Sequence, residues 1–245
     1  MKFPVLFCIA WIPVVVLSQK LQFHYDLRHT IDPKNTQKNF PSLYFEYFKS
    51  QDSGTHFIKP GSFLLKTQAD LSGTKSNLGQ FYMQVSQSFR CWRPKLFIQL
   101  QYSGGLGIAE PSSYGFYINN AYSIGLGHPF QWKNAWFNVY ACYTYNNFEK
   151  PSHDALVSFY WWKGLLNYKV QFAGDLNVWT VNRDHGDSFT TALHGKDILF
   201  YGEPQIWYNV AKHFSIGSKF NLYYHVLNHN NVLQIYPTIA AMYQF

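Results

Sequence analysis

The C-terminal segment from Val232 to Phe245 alternates between two kinds of residue, and this pattern limits the folds open to the chain. One set of alternate positions is apolar: Leu233, Ile235, Pro237, Ile239, Ala241, Tyr243 and Phe245. The set between them is more polar: Gln234, Tyr236, Thr238, Ala240, Met242 and Gln244. Because successive side chains of a β-strand point to opposite faces, the segment is predicted to be a strand with one apolar face.

The final residue, Phe245, indicates what that apolar face contacts. An aromatic ring at the end of a strand suits a membrane interface better than open solvent. The segment resembles the closing strand of bacterial outer-membrane proteins. This resemblance implies that Tyr243 and Phe245 form the signal read by the outer-membrane assembly machinery.

The N-terminus has the pattern of a cleaved secretory signal peptide. Lys2 gives the positive start, Phe3–Leu17 the apolar stretch, and Val16 and Ser18 the small-residue positions before a cut after Ser18. A membrane anchor is the alternative, but the stretch is short for a hydrocarbon core of about 30 Å and contains two prolines. Residues 1–18 are therefore predicted to be removed, which leaves 19–245. Of the remaining cysteines, Cys91 and Cys142, neither spacing nor context predicts a disulfide.

The rest of the chain repeats the alternating pattern. Aromatic residues make up 20% of the sequence and charged residues 13%, whereas about 25% charged residues is usual for a soluble domain. The alternating segments span about 21–28, 40–49, 57–71, 79–90, 95–105, 115–127, 135–146, 153–162, 165–181, 196–210, 214–226 and 232–245. We therefore predict an all-β fold, a 12-stranded antiparallel transmembrane β-barrel in the bacterial outer membrane.

The connections are predicted to alternate in length and position. Short turns at 50–56, 91–94, 128–134, 163–164 and 211–213 should face the periplasm, and the longer loops, including 106–114, should face outward. Two prolines, Pro204 and Pro237, fall inside predicted strands, where each removes one ladder hydrogen bond. We expect a β-bulge at each of them.

Residue parity places a polar and aromatic set inside the barrel. The candidates for lining the lumen are His24, Asp26, Arg28, Glu46, Lys66, Asp70, Tyr82, Lys169, Asp175, Trp179, Glu203, Trp207, Lys219 and Tyr223. Further rings predicted to point inward are Tyr44, Phe48, Phe97, Tyr117, Trp136, Tyr140, Tyr160, Trp162, Tyr201 and Tyr236. Rings interleaved with charged groups suit a flat polar solute, because rings stack on a base and polar groups bind its edge. Packing filler in a narrow barrel is the alternative.

The chain also resembles the nucleoside-specific channel-forming (Tsx-like) outer-membrane proteins. The stretches that carry this resemblance are LQFHYDL at Leu21–Leu27, PSLYFEYFK at Pro41–Lys49, GEPQIWYNVAKHFSIGSKFNLYY at Gly202–Tyr224 and YPTIAAMYQF at Tyr236–Phe245. The resemblance implies passive uptake of nucleosides across the outer membrane. It implies no cofactor, and it assigns no substrate-binding residue by position.

The sequence is also compatible with two other functions. One is a barrel enzyme that acts on lipids, for which His153, Asp154 and Ser158 are the nearest candidate groups. The other is a closed structural or binding barrel. Asp184-His185-Gly186-Asp187 has metal-ligand side chains but no spaced partner, so no metal is predicted. The formal charge of +7 is spread along the chain, and this favours basic rims near lipid phosphates over nucleic-acid binding.

Overall fold

The computed structural model describes residues 18–49, 58–90, 96–109, 114–147 and 150–245. The signal-peptide prediction falls almost entirely on residues 1–17, outside the described residues, as do Cys8 and Cys91. The predicted turns at 50–56 and 91–94 also lie outside them. Cys142 is a buried free thiol.

The described residues form one antiparallel barrel of twelve strands, the tenth in two segments. The strands are β1 Ser18–Asp26, β2 Phe40–Lys49, β3 Lys59–Asp70, β4 Gln80–Arg90, β5 Phe97–Ala109, β6 Tyr114–Trp132, β7 Ala135–Asn146, β8 Ser152–Leu165, β9 Val170–Asn182, β10 Lys196–Gly202 and Gln205–Asn209, β11 Phe214–Tyr224 and β12 Gln234–Gln244. Each strand pairs with its neighbours in sequence, and β12 pairs with β1, which closes the sheet. This confirms the predicted fold class.

In the described parts of the chain, helical structure is limited to a short helix, α1 (Arg28–Ile31), and a 3-10 turn at Thr74–Ser76. Within the described residues, no helix combines the length and the apolar character that crossing a bilayer requires.

The two faces of the barrel wall show which side contacts lipid. On β1, Leu21, Phe23 and Tyr25 are 42%, 48% and 43% exposed. The alternate residues Gln22, His24 and Asp26 are 2%, 1% and 2% exposed. A soluble sandwich would show the reverse, with apolar side chains inside. The polar interior and apolar exterior are those of a transmembrane barrel of the bacterial outer-membrane type, as predicted.

The barrel has two distinct ends. The turn end carries the tight connections at 133–134, 166–169 and 210–213, together with both described chain termini. The loop end carries the longer connections at 27–39, 71–79, 183–195 and 225–233. In barrels of this class the short turns face the periplasm, so the loop end faces the cell exterior.

Several predicted boundaries are wrong where strands continue through turn-forming residues. The predicted turn at 128–134 is only Lys133–Asn134, because β6 stays paired to β7 through Pro129 and up to Trp132. Both turn residues have positive φ, at 46° and 61°, as a two-residue hairpin turn requires. The predicted loop at 106–114 is also too long, since β5 extends to Ala109 and β6 begins at Tyr114.

The expected bulges at Pro204 and Pro237 are absent. Pro204 interrupts β10, but the register with β9 and with β11 is the same on both sides of the break. Pro237 lies within β12 opposite Phe220, and its carbonyl accepts a hydrogen bond from the Leu27 N–H. The register instead shifts between Pro60 and Phe63 and between Gly105 and Leu106. At Pro204 and Pro237 the missing N–H therefore removes a ladder hydrogen bond, but neither strand gains the extra residue of a β-bulge.

Candidate functional site

Four charged side chains from separate strands meet inside the barrel, and we call them the central ionic network: Lys66, Asp175, Glu203 and Lys219. Lys66 Nζ lies 3.0 Å from Asp175 Oδ1 and 3.4 Å from Glu203 Oε2. Lys219 Nζ lies 2.6 Å from Glu203 Oε1. No member is more than 6% exposed. The lumen therefore holds two cations and two carboxylates in mutual contact at its centre.

Neighbouring polar groups saturate the two carboxylates. Tyr201 donates its hydroxyl to Glu203 over 2.7 Å, and Asn177 donates its amide to Asp175 over 2.9 Å. Although Glu203 lies in the break between the two segments of β10, its backbone N–H bonds to the backbone carbonyl of Asp175 over 2.8 Å, and this bond holds the two acidic residues next to each other. Buried charges persist only with such partners.

Tyr44 lies against both cations of the network. Lys219 Nζ is 5.0 Å and Lys66 Nζ is 5.9 Å from the centre of its ring. The Tyr44 hydroxyl is buried, and within the described part of the chain it has no hydrogen-bond partner. A buried hydroxyl without a partner is costly, so this atom is available to a polar group that enters the lumen.

A cavity of about 400 Å³ lies between the network and the turn end. Its walls include six rings that point into the lumen, namely Phe48, Trp136, Tyr140, Tyr160, Trp162 and Trp207. Lys66 and Asp175 also line it, as do Asn138, Gln171 and Gln205. The side-chain carbonyl of Asn138 is buried, and no described residue bonds to it. The size and the mixture of rings with a few polar groups are those of a small-molecule site.

A second cluster occupies the loop-end mouth of the lumen. Arg28 pairs with Asp26 through two bonds of 3.1 and 2.9 Å, and its guanidinium lies 4.6 Å from the ring centre of Phe40 and 5.2 Å from that of Tyr236. Tyr236 donates its hydroxyl to Asp32 in the 27–39 loop over 3.2 Å. These contacts draw that loop over the mouth.

His24 lies in the wall between the cluster at the mouth and the cavity. Its Nε2 is 2.7 Å from Gln22 Oε1 and its Nδ1 is 3.0 Å from Thr238 Oγ1. The imidazole meets the Trp207 ring edge to face at 5.9 Å. Both ring nitrogens have partners, so His24 helps to hold Trp207 in place at the edge of the cavity.

Most of the predicted lumen residues do face inward. Those that are buried are His24, Asp26, Lys66, Asp70, Asp175, Glu203, Trp207, Lys219 and Tyr223. Those that are half-buried are Arg28, Glu46, Tyr82 and Trp179. Arg28 was expected on strand 1, but β1 ends at Asp26, and Arg28 begins α1 and folds back over the mouth.

Two inward assignments are wrong. Lys169 is exposed in the turn at 166–169, because β9 begins only at Val170. Tyr117 is 61% exposed, since the register shift opposite Gly105 reverses the parity of the residues before it in β6. Conversely, Lys20 lines the cavity and pairs with Glu46 at 3.2 Å. The alternation of β1 places Lys20, next to Leu21, on the polar face, so the sequence pattern could have identified it as a lumen residue.

The candidate enzymatic groups do not meet. The Ser158 hydroxyl donates to Asn177 Oδ1 over 2.6 Å, whereas His153 lies on the other face, where its Nδ1 contacts the Tyr143 hydroxyl. Lys150 Nζ is 2.6 Å from Asp184, and this hydrogen bond holds the pKa of Asp184 below its usual range. No cluster of three or more metal-ligand side chains occurs among the residues that the structure describes.

Comparisons with known proteins relate the whole barrel to others. The family model described as "Domain of unknown function (DUF5020)" matches residues 18–245. No curated protein matches the chain.

Solved structures similar to this chain include porins, the siderophore receptor PirA from Pseudomonas aeruginosa and LpxR from Salmonella typhimurium. The KdgM porin is 9% identical with a TM-score of 0.49, over 92% of this chain and 99% of that one. The NanC porin is 8% identical with a TM-score of 0.49, over 93% and 100%. The Salmonella typhi OmpF complex with daunomycin is 7% identical with a TM-score of 0.46, over 94% and 97%. Identities this low do not transfer a substrate.

Proposed function

The chain belongs to the DUF5020 family, whose model spans residues 18–245, and we propose that it forms an outer-membrane channel for the passive uptake of small polar solutes. The observation that carries this proposal is the lumen itself. A barrel that only had to fold could fill its interior with neutral side chains, whereas this one holds charged pairs beside a cavity of about 400 Å³. Charged groups inside a membrane protein are costly and commonly mark a solute path.

The finer proposal is that the solute is a nucleoside, and it rests on the Tsx-like resemblance together with the cavity. Stacking of a base on an aromatic side chain contributes about 1–3 kcal/mol, and the cavity offers rings on several sides, among them Trp136 and Tyr160. Asn138 and Gln171 would bind the base edge, and Lys66 with Asp175 would bind sugar hydroxyls. This division of roles follows from the chemistry of the groups.

Solute uptake into proteoliposomes tests the proposal. We expect uridine and adenosine to enter faster than sugars of similar size, because only the nucleosides gain from ring stacking. Proteoliposomes that contain a Trp136→Ala variant should lose most of this preference while still admitting the sugars. Equal rates for all solutes would leave a general pore, and no uptake of any solute would contradict transport altogether.

A closed barrel that binds without transporting is the second candidate. The central ionic network favours it, since the network joins side chains of β3, β9 and β11 across the lumen. Planar-bilayer recordings separate the two functions: a channel gives discrete conductance steps, whereas a closed barrel inserts without current. Transport requires that solute displace or pass the network.

The organisation of the precursor is part of the same proposal. Residues 1–18 would be a cleaved signal peptide and 19–245 the barrel. Tyr243 and Phe245, which are 46% and 60% exposed on the lipid face, would be recognised by the assembly machinery, with lipid and lipopolysaccharide surrounding the finished barrel. N-terminal sequencing of the purified protein should therefore begin at Gln19. A sequence that begins at Met1 would contradict the cleavage.

A further inference from the structure

The three parts of the barrel differ in net charge. At the loop end, seven bases, Arg28, Lys34, Lys38, Lys75, Lys150, Arg183 and Lys196, accompany seven acids, Asp26, Asp32, Asp70, Asp154, Asp184, Asp187 and Asp197. In the interior, Lys20, Lys66 and Lys219 accompany Glu46, Asp175 and Glu203. At the turn end the described residues include seven bases and no acid: Lys49, Lys59, Arg90, Lys133, Lys163, Lys169 and Lys212. We call these seven the basic collar. Among the described residues, the whole positive excess therefore lies in it.

Ion pairing follows the same division. Four of the seven loop-end bases, Arg28, Lys150, Arg183 and Lys196, pair with an aspartate, at 2.9, 2.6, 2.6 and 2.5 Å, while Lys34, Lys38 and Lys75 pair with no acid of the described chain. All three interior lysines are paired as well. No collar base pairs with an acid of the described chain. The collar is thus a ring of like charges whose repulsion the described part of the protein does not offset.

The collar lies directly beside an aromatic belt on the lipid-facing wall. Trp132, Tyr168 and Tyr208, near the turn end of their strands, are 62%, 66% and 51% exposed. Lys133 Nζ lies 4.9 Å from the centre of a Trp132 ring. Such aromatic rings occupy the level of the lipid headgroups. The neighbouring ammonium groups therefore lie at the depth of the lipid phosphates.

We infer that the basic collar binds the phosphates of anionic phospholipids in the periplasmic leaflet. The turn end faces the periplasm, an ammonium and a phosphate form strong charge-assisted hydrogen bonds, and the missing counter-charge must come from outside the described chain. This binding is independent of what passes through the lumen. It holds the barrel at a fixed depth and orientation through one leaflet only, because the charges of the described loop-end residues sum to zero.

The test compares full-length mature protein reconstituted in phosphatidylcholine with increasing fractions of phosphatidylglycerol. Brominated acyl chains on either lipid quench tryptophan fluorescence, and Trp132 at the collar reports on the lipids bound there. The test variant is K133E/K163E/K212E, and K133Q/K163Q/K212Q removes the charge without reversing it. The matched control, K34E/K38E/K75E, makes the same charge change at the loop end. Heat-modifiable migration on gels shows that each variant is folded.

The wild type should prefer phosphatidylglycerol, and the preference should fall as salt rises. Each base removed should weaken it roughly fivefold, so the glutamine variant should lower the preference roughly a hundredfold, and the glutamate variant, which sets three acids against the four remaining bases, should lower it further. The loop-end control should behave as the wild type. Equal quenching by both lipids in the wild type would overturn the inference, and so would equal loss of preference in the collar and loop-end variants. A collar that instead served an acidic protein would give the first of these outcomes.

Discussion

Replacing Lys219 with Met is expected to destabilise the folded barrel by about 3–5 kcal/mol, because it leaves a buried carboxylate without its nearest cation. Glu203 is 3% exposed, and Lys219 Nζ is its closest basic partner at 2.6 Å. Lys66 is at 3.4 Å and already paired with Asp175, so it cannot replace the lost ammonium fully. The measurement is reversible urea unfolding of the protein in lipid vesicles, followed by tryptophan fluorescence.

The double variant Glu203→Gln/Lys219→Met should be more stable than Lys219→Met alone. It removes one charge of each sign and leaves Lys66 and Asp175 as a neutral pair at 3.0 Å. The two losses should therefore be strongly non-additive. Lys20→Met is the matched control, since Lys20 and Glu46 form a less buried pair, 18% and 17% exposed, and its loss should cost at most about 1 kcal/mol. Additive losses at Lys219 and Glu203 would show that the network is not a coupled unit.

The sequence predicts the wall of this barrel better than its ends. Alternation is a local property of each strand. The two-residue period alone therefore predicts that Leu21 and Gln22 point to opposite faces of the wall, and that Ile239 and Tyr236 do so too. The limits of β2 at Phe40–Lys49 and β7 at Ala135–Asn146 coincide with the predicted ones. Strand ends are less predictable, because residues such as Pro129 form turns in one context and pair across a sheet in another.

The composition of the lumen was predictable, but its contacts were not. Parity identifies Lys66, Asp175, Glu203 and Lys219 as inward-facing one at a time. That they meet depends on the register of β3, β9, β10 and β11 and on the stagger of a closed barrel, which link residues up to 137 positions apart. The same limit applies to charge. The sequence shows the formal charge of +7, whereas the finding that the positive excess of the described residues lies at the turn end requires knowing which end each residue occupies.

Selective neutralisation of the central ionic network is expected to give the channel a charge preference that the wild type lacks. The native network balances two cations with two carboxylates, so we expect wild-type currents to discriminate weakly between K⁺ and Cl⁻. Asp175→Asn/Glu203→Gln leaves Lys66 and Lys219 uncompensated, and the lumen should then favour anions. Lys66→Met/Lys219→Met leaves the two carboxylates and should favour cations. A one-signed ring at the narrowest point sets ion selectivity in this way.

The measurement is the reversal potential of single-channel or ensemble currents across planar bilayers under a KCl gradient. A unit charge about 4 Å from an ion contributes about 1 kcal/mol even at the dielectric constant of water, so two charges should change the permeability ratio roughly tenfold or more. The two variants should shift the potential in opposite directions. Asp187→Asn, a loop-end neutralisation outside the lumen, should leave it unchanged. Potentials that stay at the wild-type value in both double variants would show that ions do not pass the network, and the barrel would then be a binding protein with a closed centre.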